Sequence, residues 1–270
     1  MKSFISKENR KLSKLALYYL EDLSYSAFMK ALRKKDVKIN GKRVNQDVML
    51  SVGDRVEIFY TQAITLKFEE IYKDENVLVI KKFSGFTSES VFEEISAKYK
   101  GAGFIHRLDR NTDGIMIFSL SSASEQELLN GFKNRSFDKF YTAYVVGKMP
   151  KKSDVLTAYL VKDKDSATVK IFNNQVKNSV LIKTGYEVVE ERDGYSVLSV
   201  RLFTGKTHQI RAHLAHIGHP IIGDGKYGDF NTNNKFKEKA QRLTASKLVL
   251  HFSEDSPLYY LNNKTFSLKG

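Results

Sequence analysis

The sequence predicts an α+β protein with a mixed, largely antiparallel sheet, and three observations carry that expectation. Strand-like runs dominate the chain beyond residue 68 without helices spaced regularly between them, which argues against a doubly wound parallel sheet. Helical spacing opens the chain and then gives way to alternation. Hydrophobic residues make up 41% of 270, enough to build a sizeable core in one large domain or two unequal ones.

Leu12, Leu15, Tyr19 and Leu23 recur at helical spacing, and Ser26 to Leu32 predicts a second helix ending in Arg33-Lys34-Lys35. Asn40-Gly41-Lys42 is a hairpin signal between Val37-Lys38-Ile39 and Arg43-Val44, and Gly53-Asp54 turns into the alternating run Val56 to Tyr60. Two helices followed by a small sheet therefore predict a first domain over residues 1–61. Thr61 to Thr65 reads as a short linker, and a second domain fills 66–270. Within it, strands are expected at Ile115 to Phe118, Tyr141 to Val146, Thr168 to Phe172, Val180 to Val189 and Ser196 to Phe203. Helices are expected near 91–100, 121–134 and 207–217. No internal repeat or low-complexity tract interrupts the pattern.

Charge speaks of partners rather than fold. Forty-four Lys and Arg against thirty-one Asp and Glu leave +13, so polyanions are the expected partners. Residues 1–60 hold thirteen basic and seven acidic residues, a net of +6, so nearly half of the excess lies in under a quarter of the chain. Its cations, Arg33, Lys34, Lys35, Lys42 and Arg43, crowd where the second helix meets the hairpin, which suits phosphate contacts as well as it suits a solvated face. There is no Cys, which excludes disulfides and thiolate metal sites. Met1 to Glu8 lacks the apolar core of an export signal, and no apolar run approaches bilayer length, so the expected location is the cytoplasm, with no membrane contact.

The chemistry concentrates in Gly103-Phe104-Ile105-His106-Arg107-Leu108-Asp109-Arg110-Asn111-Thr112-Asp113-Gly114, a charged turn leading into the apolar run from Ile115. Rigid strands hold such loops while leaving their tips open, which is where reacting groups belong. Asp109 to Gly114 also matches the opening of a calcium loop. The bidentate Glu required at the twelfth position is Leu120, however, and Arg110 would sit beside the ion. His208, His213, His216 and His219 suggest a metal, yet no acidic or thiolate ligand stands nearby, and Gly218 with Pro220 ends the helix before His219 can join. Gly223 to Gly228 matches a bare dinucleotide fingerprint but has neither a full strand before it nor a helix after it. What remains there is an amphipathic helix with Ile210, Leu214 and Ile217 inward, while His208 and Arg211 share a second face that can meet a carboxylate.

His106-Arg107-Leu108-Asp109 followed by Thr112 and Gly114 resembles the signature of the RluA-type pseudouridine synthases. Two further motifs stand in that family's order. One is Lys139-Phe140-Tyr141 with Tyr144 to Gly147; the other is Thr204-Gly205-Lys206-Thr207-His208-Gln209-Ile210-Arg211-Ala212-His213, running on to Gly218 to Asp224. Asn76 to Ile80 with Lys82-Phe83-Ser84-Gly85 resembles the family's opening strand and glycine turn, with Phe83 in place of the usual Pro. The likeness runs from about Phe68 to Leu250, and residues 1–60 resemble the alpha-L RNA-binding module that often precedes such a domain. A surface ion pair is the plain reading of an isolated Arg/Asp cluster, and the companion motifs weigh against it.

The resemblance implies a pseudouridine synthase that detaches uracil from ribose, turns it and rejoins it through carbon, without cofactor or metal. It implies Asp109 as the carboxylate near the sugar, as nucleophile or as base. Arg211 would be the guanidinium that favours its charged form, and Tyr141 the ring lying against uracil. Arg107 would enter the RNA where the uridine leaves, since extruding a base costs roughly a few kcal/mol. His106, Thr112 and His208 would complete the substrate-binding set. The implied partner is RNA, first large-subunit ribosomal RNA and second transfer RNA, with no obligate protein partner. A noncatalytic RNA-binding or ribosome-assembly protein retaining the fold is the alternative, against which the intact set Asp109, Tyr141 and Arg211 speaks. Three departures stand out: Asp113 for Ser, Lys206 for Arg, and Thr244 for a His. Asp113 adds negative charge where an anionic substrate is expected.

Overall fold

The computed structural model describes residues 1–20, 23–60, 66–163, 166–238 and 240–268. The chain divides into Met1–Thr65 and Leu66–Gly270, and the expected linker, Thr61 to Thr65, lies outside the described residues.

The first unit runs β1 (Lys2–Ile5), β2 (Arg10–Lys11), α1 (Leu12–Tyr19), α2 (Tyr25–Arg33), β3 (Val37–Ile39), β4 (Lys42–Val44), β5 (Met49–Leu50) and β6 (Arg55–Ile58). Leu12, Leu15 and Ala16 of α1 are fully buried against Phe28 and Leu32 of α2. The first helix stops short of the expected Leu23, because Ser24 already caps the second: its hydroxyl accepts the Ala27 amide at 3.2 Å. Asn40 (φ 49°) and Gly41 (φ 80°) supply the two positive φ angles of a tight hairpin, setting Val37 opposite Val44. The sheet order is β1-β6-β3-β4, so the reading of two helices followed by a sheet needs correction. Two strands precede the helices: β1 closes the sheet's edge on β6, and β2 pairs with β5.

The second unit runs β7 (Phe68–Lys73), β8 (Val77–Lys82), α3 (Ser88–Lys98), β9 (Asp113–Ser119), α4 (Ser122–Asn134), β10 (Asp138–Val146), β11 (Ser153–Asp163), β12 (Thr168–Phe172), β13 (Val180–Arg192), β14 (Tyr195–Leu202), α5 (Gln209–His216), α6 (Phe230–Lys235), β15 (Leu243–Val249) and β16 (Thr265–Ser267). The sheet order is β12-β11-β13-β14-β10-β15-β9-β8-β7, with β16 added on β15. Of these pairings only β9 with β15 is parallel, which makes this an α+β fold with a mixed, largely antiparallel sheet. The helix expected near 91–100 starts at Ser88 because Thr87 caps it through the Ser90 amide. The short α6, capped by Asp229, corrects the expectation that no helix follows Gly228.

Residues on β8 and β9 are buried on both faces, as their unbroken apolar runs require. Leu78, Ile80, Met116 and Phe118 pack with Val91 and Ile95 of α3 and with Leu108. Val77, Val79, Ile115 and Ile117 pack with Leu128 of α4 and with Leu258 and Leu261. Ala143, Val145 and Val200 form a third cluster with Ile210 and Leu214 of α5. The loop before β9 and the N-terminus of α5 thus stand beside each other on one face. Among the described residues no helix is long and apolar enough to cross a membrane.

Candidate active site

The loop carrying Asp109 is fastened on all sides. Ser88, fully buried at the start of α3, accepts the Leu108 amide at 2.9 Å and donates to the Leu108 carbonyl at 3.0 Å. Lys82, buried at the end of β8, donates its ammonium to the carbonyls of Phe83, Phe86 and Arg110 at 3.1, 2.9 and 3.1 Å. Burial pushes that ammonium down to about 8, against the upward pull of the Asp113 and Asp109 charges. On the far side, His106 stacks on Phe132 with centroids 4.3 Å apart. Its Nε2 accepts the Ile117 amide at 3.1 Å, which fixes it as a neutral imidazole. Burial, and then the charge of Lys139, holds its pKa down to about 3.

Asp109 meets α5 across 102 residues of sequence: Arg211 donates Nη1 to Asp109 Oδ2 at 2.9 Å. Arg211 is aimed by Asp224, whose carboxylate accepts Nε and Nη2 at 2.7 and 2.8 Å. Asp224 is fully buried. Burial alone would raise its pKa, but the Arg211 hydrogen bonds and charge, with the amides of Lys226 and Tyr227, hold it below the usual carboxylate range. Asp109 Oδ1 has no hydrogen-bond partner among the described residues. One carboxylate oxygen is therefore held while the other is open. His208 ends at 3.9 Å from Oδ2 and shares a 2.9 Å bond between its Nδ1 and the Tyr227 hydroxyl. The expected helix over 207–217 begins only at Gln209, since His208 adopts φ 54°. That conformation still leaves its ring beside the carboxylate.

Tyr141 enters from β10 where a bulge interrupts pairing with β15 between Phe140 and Tyr141. Burial, then the charge of Asp109, drives its phenol far above the ordinary value, so it is a protonated donor at neutral pH. Asp109, Tyr141, Arg211, His208 and Leu243 line a cavity of about 460 Å³, within the range of small-ligand pockets. Arg107, Lys133, Arg135, Lys139 and Lys206 also line it, and Asp109 is the one acid among the described lining residues. The arrangement can take an anionic ligand, put an uncharged ring against Tyr141 and set a carboxylate oxygen on the remainder.

The structure brings Asp109, Tyr141, Arg211, Arg107, His106, Thr112 and His208 to this one cavity. Arg107 is exposed and pairs with Glu89 at 3.1 Å rather than with Asp109. Thr112 is buried, its hydroxyl accepting from Gln241 at 2.6 Å, so it and His106 are engaged by protein partners. Asp113 is turned away from the cavity and accepts the Thr244 hydroxyl at 2.7 Å, so its charge faces Thr244 and Lys82 rather than substrate. In the first unit Arg33, Lys34, Lys35, Lys42 and Arg43 are all exposed, and Arg43 donates to the Lys35 carbonyl at 3.2 Å, joining helix end to hairpin. Lys82, Asp224 and Tyr227 were not among the expected site residues. The glycines flanking Asp224 and the aromatic three residues on were the available signal; a lysine closing a strand carries none. No group of three or more His, Asp or Glu among the described residues could hold a metal ion.

Residues 71–216 match the RNA pseudouridylate synthase family. A ribosomal large subunit pseudouridine synthase C of Vibrio parahaemolyticus is 27% identical over 261 residues, covering 86% of this chain and 79% of that protein. A ribosomal large subunit pseudouridine synthase D of Blochmanniella floridana is 35% identical over 177 residues, covering 60% of this chain and 54% of its own. Among solved structures, human RNA pseudouridylate synthase domain containing 1 superposes with a TM-score of 0.62 at 22% identity, covering 75% of this chain and 90% of that one.

Proposed function

Since the chain belongs to the RNA pseudouridylate synthase family, we propose that it isomerises specific uridines to pseudouridine in structured RNA, with large-subunit ribosomal RNA as its substrate. The choice of RNA rests on the names of the relatives from Vibrio and Blochmanniella. In the reaction the bond from ribose C1′ to uracil N1 breaks, the bond from C1′ to C5 forms, the C5 proton leaves and N1 gains one. Atoms and charge balance within the nucleotide, so no redox partner enters.

The observation that carries the assignment of roles is the divided state of Asp109: Oδ2 is held by Arg211 at 2.9 Å, and Oδ1 is open to the cavity. Attack on C1′ and removal of the C2′ proton both require that free oxygen. Tyr141, kept protonated, lies where the detached base must wait, and His208 and the cations at the rim hold the ribose and phosphate. Arg107, exposed at the rim, fills the place a flipped uridine vacates. Unit Met1–Thr65 recruits the RNA as an alpha-L module through Arg33, Lys34, Lys35, Lys42 and Arg43.

Mapping pseudouridine in total RNA with and without the protein tests the activity and names the target. Asp109→Asn should abolish turnover while RNA affinity stays within about an order of magnitude, because phosphate contacts supply most of it. Turnover persisting in that variant would remove Asp109 from its role. Binding without modification by the unaltered protein would instead favour a noncatalytic RNA-binding protein.

A further inference from the structure

The uridine cavity does not end at its own rim. Arg135 and Lys206 line both it and a second hollow of about 450 Å³, whose other walls are Val180, Leu181, Lys183, Phe203 and Thr204. No carboxylate lines the second hollow among the described residues. Its cations are free: Arg135, Lys183 and Lys206 are exposed, and among the described residues none is in an ion pair with Asp or Glu. Arg201 next door is different, being tied to Asp138 at 2.6 Å.

The sheet explains why Phe203 is the floor. Val200, opposite Tyr141, faces α5, so Arg201 and, one step past β14, Phe203 face the other way. Gly185 lies beneath the Phe203 ring, and a Cβ there would come within 3.1 Å of it. Lys183 Nζ stands 4.9 Å from the ring centroid, and the Arg201 guanidinium carbon stands at the same distance. An aromatic ring with the unpaired cations Arg135, Lys183 and Lys206 in the same hollow, beside a pocket for a single base, is the chemistry that holds single-stranded nucleic acid: a charge track for phosphates and a ring for a base.

We infer that this hollow is a subsite for the nucleotide adjoining the target uridine, its base against Phe203 and its phosphates on Arg135, Lys206 and Lys183. The inference rests on the synthase reading for what fills the first cavity. The occupant is a flanking RNA nucleotide because the two cavities adjoin, sharing Arg135 and Lys206 as lining residues, and the second offers cations and an aromatic ring with no carboxylate among its described walls.

The test compares uridine 5′-monophosphate with the trinucleotide UpUpU on the full chain. Phe203→Leu, which keeps apolar bulk without a ring, and Lys183→Ala, at an exposed position, should each weaken UpUpU on the order of tenfold, in keeping with removal of a stacking ring or a phosphate partner. Both should leave uridine monophosphate unchanged. UpUpU carrying a terminal 4-thiouridine should crosslink to the peptide holding Phe203. Affinity for UpUpU within about twofold of the unaltered chain in both variants, or crosslinks that avoid that peptide, would overturn the subsite. Pseudouridine mapping on the same preparation keeps the two readings apart: modification with no effect of either variant sinks the subsite alone, and binding effects without modification sink the synthase reading while leaving the hollow as a site for an RNA nucleotide.

Discussion

Asp113 and Thr244, two of the departures from the family pattern, are in contact, with the Thr244 hydroxyl donating to Asp113 Oδ1 at 2.7 Å across the parallel register of β9 and β15. Each departure accounts for the other: a carboxylate needs a donor there, and threonine supplies one. A hydrogen bond to a charged group contributes about 1.5 to 3 kcal/mol, so a double-mutant cycle of Asp113→Ser and Thr244→Val should show a coupling of about that size in urea unfolding. Additive single effects would mean that the pair stabilises nothing. Arg211 is a second case in which one side chain is set by another. Its guanidinium gives two nitrogens to Asp224 and one to Asp109, a fork that lysine could not reproduce.

The loop before β9 owes its shape to neighbouring elements more than to its own sequence, and His106 is its most testable fastening. Folded, His106 titrates at about 3; unfolded, it titrates near 6.5. Between those values the unfolded chain binds the proton and the folded chain does not. The stability contributed by the neutral ring is therefore full above pH about 6.5 and drains as pH falls toward 3. His106→Gln keeps an acceptor for the Ile117 amide without titrating, so its urea midpoint should fall less steeply than that of the unaltered chain between pH about 7 and about 4; parallel curves would clear His106 of the effect. Elements with long apolar or alternating runs were legible in sequence, β12 to the residue and β10, β13, β14 and α4 to within three. β15 and β11 were not, because Thr244, Ser246 and Lys247, or Ser153 and Asp154, dilute their apolar pattern with polar groups. The start of α5 was misjudged because a positive φ, though commoner for histidine than for most residues, is still too rare to be expected at His208 from sequence. Lys82 was not expected among the site residues because lysine is ordinarily a surface residue, and its bond to the Arg110 carbonyl spans 28 residues of sequence. The meeting of Asp109 with Arg211 could be expected only through the family resemblance, since their separation of 102 residues leaves no local signal.

Each unit of the chain has its own core, one built on Leu12, Leu15 and Phe28 and the other on the large sheet. Deleting residues 1–61 should therefore leave the second unit folded, with lower RNA affinity and a flatter salt dependence. Every phosphate that the shortened chain no longer neutralises takes roughly 0.7 to 0.9 off the slope of log affinity against log salt. A slope unchanged by the deletion would mean that the basic helix end and hairpin touch no RNA. The large sheet has a seam: β15 lies between β9 and β10, which follow one another in sequence, and it alone pairs with both. Asp109 belongs to the part on one side of that seam, Tyr141 and Arg211 to the part on the other. A ribosome making this chain would thus release every proposed reacting group before Leu243 emerges, and still have no enzyme at its exit. The strand ending at Val249 is the one that joins the part carrying the carboxylate to the part carrying the guanidinium, so a chain released before Leu243 should show no synthase activity.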